Sequence, residues 1–307
     1  MPVREVGLVG LGLMGSAMST RLLAEGFSVV GYDVAGAARE AHQARGGTVV
    51  TGTAEVASRC PVVILSLPNG QVSREACFGP GGIVEGVRDD SIVVETSTVL
   101  PREAEAMAAD LGKLDAHFAD AALSGHSEMV GRGEALGMVG GDAADVAAVE
   151  PILDPFCREV MHVGGPGDGM RAKIVVNEIL TINRFAVAEG LVLAEKLGVD
   201  VARMLEVLRA SAAYSKAMDM WGDRMVERRY TEPASRVDSH SKDARLTIQL
   251  GREHQAPMLL TTQINQVVQA MLANGMAELD NSSVVEALRA LAGITPTPPH
   301  DDPSLGQ

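Results

Sequence analysis

Lys173 and Asn177 stand four residues apart near the start of a long helical pattern at 165–200, so both side chains fall on one helix face. A lysine set among apolar residues either snorkels to water or is kept for proton transfer, because burial shifts an amine's pKa readily. Near the N-terminus, Gly10-Leu11-Gly12-Leu13-Met14-Gly15 has the glycine spacing of a turn that cradles a pyrophosphate, and Asp33 follows 18 residues after Gly15. A third group, Ser124-Gly125-His126, offers a hydroxyl, successive backbone amides and an imidazole. That combination suits a carboxylate or another anion, with the histidine as ligand-binding side chain or general acid/base. Each group also has a plainer explanation: a solvated lysine, a structural glycine turn, an ordinary turn between strands with an exposed histidine.

The elements around the glycines favour the chemical explanation. Residues 5–10 read as a short buried strand, a helical pattern runs on to Gly26, and 27–33 form a second strand ending at Asp33. In that setting Gly10 permits the tight turn, Gly12 lets the backbone approach a pyrophosphate, and Gly15 lets helix and strand pack closely. Asp33 is placed to accept the ribose hydroxyls and would repel a 2′-phosphate, which points to NAD. Arg39 lies close enough in sequence to leave NADP open.

Alternation continues downstream. The pattern predicts a helix at 40–46, a strand at 47–51, a short helix at 54–58, a fully apolar strand at 61–67 ending in Pro68-Asn69, a strand at 91–98 and a helix from Pro101. Small polar residues at strand ends (Ser66, Asn69, Thr96, Ser97, Thr98) belong on the ligand-facing edge of an open parallel sheet, or serve as turn and cap residues. A strand is then expected from 117, a loop at 122–132 and a strand at 135–139. The 165–200 segment carries more than 25 residues of helical periodicity and would span about 40–45 Å. Its apolar residues cover most of the circumference, which predicts a buried helix. Further helices are expected at 201–209, 215–227, 242–253, 258–274 and 282–291.

Composition narrows the function classes. A net charge of −14 over 307 residues repels nucleic acid and anionic membranes, though not a small anion at a locally positive site. Three widely spaced cysteines make neither a disulfide framework nor a zinc pattern, so no metal is expected and a reducing compartment fits. The opening residues show no basic stretch followed by a longer apolar one, and no apolar run is long enough to span a bilayer, so a cytoplasmic protein is expected. The segment from Thr295, rich in proline and polar residues, is expected to be disordered.

With these motifs in order along one chain, the sequence resembles the β-hydroxyacid dehydrogenases, the family of 3-hydroxyisobutyrate dehydrogenase and tartronate semialdehyde reductase, relatives of 6-phosphogluconate dehydrogenase. The resemblance runs from Val6 to about Leu291. It rests on Gly10 through Met18 (GxGxMGxxM), Leu67-Pro68-Asn69, Ser97-Thr98, Asp120 through His126 (the family's DAPVSGG loop), Gly165 through Lys173 to Asn177, and Lys242-Asp243. It implies an α/β Rossmann domain at 1–164, a long interdomain helix at 165–198 and an all-α C-terminal domain at 199–294, with the tail at 295–307. It implies an NAD(P)-dependent oxidoreductase that interconverts a β-hydroxy carboxylate and its semialdehyde or keto acid. The active site would lie in the cleft between the domains, and the protein would be a homodimer or homotetramer.

The resemblance also assigns roles. Lys173 would be the general acid/base, its pKa lowered by partial desolvation and the nearby nicotinamide, and Asn177 would orient substrate. Ser124, Gly125 and His126 would hold the substrate carboxylate. Gly10, Leu11, Gly12, Leu13, Met14, Gly15, Asp33, Leu67, Pro68, Asn69, Thr98 and Lys242 would line the cofactor. Departures from the family pattern bear on selectivity. His126 stands where a second glycine is common and would narrow the pocket, Ala122 replaces the usual proline, Val176 a frequent asparagine, and Ser235 lies where an aromatic residue is common. Two rivals remain, an NADPH-preferring reductase of small aldehyde acids and a family member that binds cofactor without catalysis. Retention of Lys173 speaks against the latter and against imine reduction, and the chain is short for a 6-phosphogluconate-type decarboxylating enzyme.

Overall fold

The computed structural model describes residues 4–295, so the expected disordered tail lies outside the described residues apart from Thr295. The chain divides into two compact units, one up to Lys173 and one from Ile174. The first alternates strand and helix: β1 (Glu5–Val9), α1 (Leu13–Ala24), β2 (Ser28–Tyr32), α2 (Gly36–Ala44), β3 (Thr48–Val49), α3 (Thr53–Arg59), β4 (Val62–Leu65), α4 (Gly70–Phe78), β5 (Ile92–Glu95), α5 (Pro101–Gly112), β6 (His117–Ser124), α6 (Ser127–Gly131), β7 (Ala135–Gly141), α7 (Ala143–Leu153) and β8 (Cys157–Gly164). The strands form one sheet in the order β3-β2-β1-β4-β5-β6-β7-β8. All neighbours are parallel except β6 and β7.

Strands buried on both faces need apolar side chains at successive positions, which is why β1, β4 and β5 read as continuous hydrophobic runs. Val6, Leu8, Ile64 and Val94 are fully buried, with Met18 and Leu22 of α1 packed in the same core. The chain returns to the middle of the sheet between β3 and β4, so β1 and β4 are neighbours whose connections leave in opposite directions. Open α/β sheets bind ligands at the carboxyl ends of the strands beside such a reversal.

The second unit is helical. It takes up most of α8 (Asp168–Lys196), which begins in the first unit, and continues through α9 (Val201–Ala210), a π-helical turn (Met218–Gly222) leading into α10 (Asp223–Glu227), α11 (Val237–Glu253), α12 (Leu259–Ala273) and a 3₁₀ turn (Asn281–Ser283) leading into α13 (Val284–Leu291). Among the described residues its only extended pairing is an antiparallel bridge between Arg236 and Asp280. Phe185, Leu191, Trp221, Met225 and Val268 centre its core.

Several expectations are corrected. Residues 122–132 are not a loop: β6 continues through Ser124, paired with β7 across Ser124–Leu136, and α6 follows. The α8 helix is not buried all round, since Val175, Ile179 and Leu193 are each more than half exposed. Helix α2 starts at Gly36 and α11 at Val237, both earlier than their apolar residues suggest. The 215–227 helix opens as a π-helical turn.

Candidate active site

The glycine turn sits at the sheet's reversal point. Gly10 has φ +94°, and a Cβ there would stand 2.1 Å from the Ser66 carbonyl oxygen, because the ends of β1 and β4 converge. A Cβ on Gly15 would meet the Gly10 carbonyl oxygen at 2.0 Å, so α1 can lie this close to the turn only without a side chain. Gly12, the N-cap of α1, is different: a Cβ there would meet nothing within 4 Å. Two glycines are therefore required by the fold, while Gly12 leaves open space in front of a helix N-terminus, as a pyrophosphate needs. The Asp33 carboxylate ends β2 and accepts from Leu11 N at 2.7 Å and Ala35 N at 2.8 Å, which fixes it beside the turn. Each oxygen keeps a lone pair for a ribose hydroxyl. Leu13 and Val34 are exposed and Met14 is partly buried. These residues fit a dinucleotide. Arg39 donates to the carbonyls of Asp33 and Val34, and its guanidinium lies 6.0 Å from the Tyr32 ring centroid.

The ends of β4 and β5 complete this edge. Ser97 Oγ accepts from Leu67 N at 2.8 Å, and buried Glu95 accepts from Ser97 N at 2.8 Å, so the Leu67-Pro68-Asn69 segment is tied to the next strand. Asn69 caps α4, its Oδ1 accepting from Val72 N at 3.0 Å. Its side chain therefore does the cap work that was the plainer reading of an asparagine here, while Pro68 and Asn69 remain exposed. Thr98 is partly buried at the same edge.

Lys173 is brought to the substrate-loop residues. Its Nζ donates to the Leu123 carbonyl oxygen at 2.6 Å, one residue before Ser124. Gly125 has φ +152°, a backbone that only glycine adopts readily. His126 is the extended residue before α6, its Nδ1 4.0 Å from the Glu128 carboxylate. This meeting depends on how α8 begins. The buried Asp120 carboxylate in β6 accepts from Gly167 N and Met170 N, both at 2.7 Å, at the start of α8. A Cβ on Gly140 or Gly169 would fall within 2.9 Å of this junction, at 2.6 Å from Asp120 Oδ1 and 2.8 Å from Asp120 Oδ2 respectively. Two glycines thus let the helix start against the sheet, and Lys173 follows within a turn of Met170. Burial outweighs these two donors and raises the Asp120 pKa to about 7.

Asn177, one turn beyond Lys173, belongs to the second unit. Its Nδ2 donates to Asp243 Oδ2 of α11 at 3.1 Å. Lys242, also on α11, has its Nζ 3.7 Å from Asp243 Oδ1. The Ser235 hydroxyl accepts from Asn281 Nδ2 at 2.8 Å, so it serves the fold around the Arg236–Asp280 bridge. Asp120 appeared in the sequence only as the first letter of a motif, and Arg184 and His240 form a buried polar pair that apolar periodicity did not reveal. For Asp120 a signal was available, an acidic residue in an apolar strand ahead of a glycine-rich helix start. Burial pushes the Cys60 and Cys157 thiols up to about 12, and Cys77 is raised as well, so none is an activated nucleophile. Among the described residues no group of three His, Cys, Asp or Glu side chains could hold a metal ion.

Known proteins share both halves of this design. Residues 5–164 match the family described as the NAD binding domain of 6-phosphogluconate dehydrogenase, and residues 167–288 match the NAD-binding family of NADP-dependent 3-hydroxyisobutyrate dehydrogenase. Human mitochondrial 3-hydroxyisobutyrate dehydrogenase is 30% identical over 92% of this chain and 86% of its own. The 2-(hydroxymethyl)glutarate dehydrogenase of Eubacterium barkeri is 28% identical over 95% of this chain and 97% of its own. The structure of Mycobacterium tuberculosis 3-hydroxyisobutyrate dehydrogenase with L-serine superposes with a TM-score of 0.84 at 27% identity, covering 94% of this chain and 100% of that one. With a dinucleotide turn that fits its cofactor and relatives matched over nearly the whole length, the chain belongs to the β-hydroxyacid dehydrogenase family and is an NAD(P)-dependent oxidoreductase that interconverts hydroxy acids and their semialdehydes or keto acids by hydride transfer.

Proposed function

We propose that Lys173 is the general acid/base of this reaction. In oxidation its amine takes the hydroxyl proton as hydride leaves the carbinol carbon, and in reduction its ammonium returns the proton to the new alcohol. The bound nicotinamide supplies the hydride acceptor or donor. The observation that carries this reading is the 2.6 Å bond from Lys173 Nζ to the Leu123 carbonyl, which supports an amine held beside Ser124, Gly125 and His126. Those three residues hold the substrate carboxylate, and Asn177 hydrogen-bonds the reacting or neighbouring hydroxyl. Lys173→Ala should abolish turnover while leaving cofactor affinity nearly intact, and an unchanged kcat would refute the role.

The substrate is a small β-hydroxy carboxylate, the class to which the named substrates of the two relatives belong. His126 in place of a glycine narrows the pocket and selects for a polar substituent that can meet an imidazole. Initial rates for 3-hydroxyisobutyrate, serine, glycerate, threonate and aryl-substituted acids, each with NAD and NADP, test this. Activity restricted to polar acids supports selection at His126, and fast turnover of 3-hydroxyisobutyrate argues against it. Asp33 supports NAD as the preferred cofactor, with Gly10 to Gly15, Leu67 to Asn69, Thr98 and Lys242 as its other contacts. No helix among the described residues is long and apolar enough to cross a membrane. We read the protein as a cytoplasmic homodimer or homotetramer, supported by its buried free thiols and by Val175, Ile179 and Leu193 exposed along α8. Light scattering after size exclusion tests the assembly.

A further inference from the structure

Behind Asn177 the second unit holds a polar cluster whose charges the proposed proton transfer does not use. Arg184 lies on α8 seven residues after Asn177, two turns along the same face. It is 3% exposed, with its guanidinium 4.9 Å from the Trp221 ring centroid and one Nη 2.6 Å from His240 Nε2. A guanidinium can only donate, so His240 accepts at Nε2 and is the neutral tautomer with its proton on Nδ1. Burial and the neighbouring Arg184 charge both act to keep that imidazole neutral. His240 therefore cannot balance the arginine. The anions whose charges act on Arg184 are Asp280 and Asp243. Asp280 is engaged elsewhere, accepting from Ala234 N, Ser282 N and Ser282 Oγ. Asp243, one helical turn beyond His240 on α11, faces Asn177 with one oxygen and Lys242 with the other.

Lys242 Nζ stands 3.7 Å from one Asp243 oxygen, and an ionised carboxylate only accepts hydrogen bonds. That settles which end of the Asn177 amide faces it. The NH₂ end must point to Asp243, because the flipped amide would set its carbonyl oxygen against an anion. Asn177 Oδ1 is then on the opposite side of the amide. We propose that Asp243 is a positioning residue for Asn177, fixing the amide so that Oδ1 is presented as an acceptor for a substrate hydroxyl while Nδ2 stays committed to α11. The inference rests on the substrate-binding role proposed for Asn177 and names the residue that gives it a direction.

A double-mutant cycle tests it, with Asn177→Ala, Asp243→Asn and the double variant assayed on the hydroxy acid that is oxidised fastest. Asparagine at 243 has the same shape but can donate as well as accept, so it no longer dictates the amide's orientation. D243N is expected to lower kcat about 10- to 100-fold, as small misplacements of an orienting group do. Its cofactor Kd, read by binding of the reduced nucleotide, should stay within about two-fold of the parent. The double variant should be no slower than N177A, because Asp243 acts through Asn177. Losses that multiply in the double variant, or full activity in D243N, overturn the inference while leaving the role of Asn177 standing. A fully active N177A overturns both. If D243N does not fold, Asp243→Glu, which keeps the charge and moves the oxygens by one methylene, enters the same cycle with the same expected non-additivity.

Discussion

At the glycine turn the fitting parts are backbone. Gly10 and Gly15 let β1, β4 and α1 approach to distances that no side chain tolerates, and the ligand side is left as amides and open space. Along α8 and α11 the fitting parts are side chains: Lys173 on the Leu123 carbonyl, Asn177 on Asp243, Arg184 on His240. Backbone fitting fails sterically, so any substitution at a required glycine has a cost. Side-chain fitting fails chemically, so a variant of the same shape with a different proton or charge is the informative one. The two regions therefore call for different experiments.

The largest effect is expected in the side-chain region. Lys173→Met removes the proton carrier but keeps an unbranched chain in a helix that suits it, so kcat should fall by about 10²- to 10⁴-fold with the cofactor Kd unchanged. Loss of cofactor binding in step with kcat would show that Lys173 supports the fold or the nucleotide instead. Next comes a contrast within the backbone region. Gly15→Ala forces a Cβ to 2.0 Å from a carbonyl oxygen and should cost about 1–3 kcal/mol of stability along with most cofactor affinity. Gly12→Ala meets nothing, so stability should change by about 1 kcal/mol or less while nucleotide affinity falls, since the new methyl occupies the approach to the helix N-terminus. Equal unfolding midpoints for the two variants would erase the distinction between a glycine required by the fold and one kept for the ligand.

Asp120 joins the two kinds of fitting, a side chain that holds backbone amides. Its folded pKa of about 7 lies above the ordinary aspartate value of 3.8, so the folded state holds the proton more tightly than the unfolded one. The stability this contributes is fully present below about pH 4 and is lost as pH rises toward 7. Asp120→Asn cannot titrate. The stability difference between parent and variant, from urea unfolding at a series of pH values, should therefore shift against the parent by roughly 1–3 kcal/mol from pH 5 to 8. A difference independent of pH would mean that the helix N–H donors dominate and the carboxylate stays ionised throughout.

The same contrast explains what could be read from the sequence. The first unit announces itself because strands buried on both faces are unbroken apolar runs and because a glycine turn is local, complete within Gly10 to Gly15. Elements without such a signal were not anticipated. Strand β8 is exposed or half-exposed along most of its length, so it has no apolar run, and α7 carries Pro151 inside it. Ser124 was visible as chemistry but not as a strand residue, because the pairing of β6 with β7 that carries the strand through it is not a local property. Lys173 and Asn177 stood out by spacing. Their partners did not: Asp120 meets amides 47 and 50 residues away, and Asn177 meets a carboxylate 66 residues away. Arg184 carried no local signal, because its partner His240 lies on α11, 56 residues on.

The smallest effect separates two cofactors that differ by one phosphate. The Asp33 carboxylate is fixed by Leu11 N and Ala35 N, so it cannot swing away from an incoming 2′-phosphate without breaking two hydrogen bonds. Arg39 is the cation at hand, yet it donates to the carbonyls of Asp33 and Val34. Asp33→Asn keeps the acceptor oxygen for one of these amides and removes the charge. NADPH should then bind about ten-fold more tightly and NADH a few-fold more weakly, as one charge at short range in a solvent-exposed site allows. Measuring both Kd values at low and high salt sharpens the test, because a gain that comes from relieved repulsion shrinks as the ionic strength rises. A parent enzyme that already binds NADPH more tightly than NADH would mean that Arg39 leaves its carbonyls for the phosphate, and that Asp33 serves the turn more than the ribose.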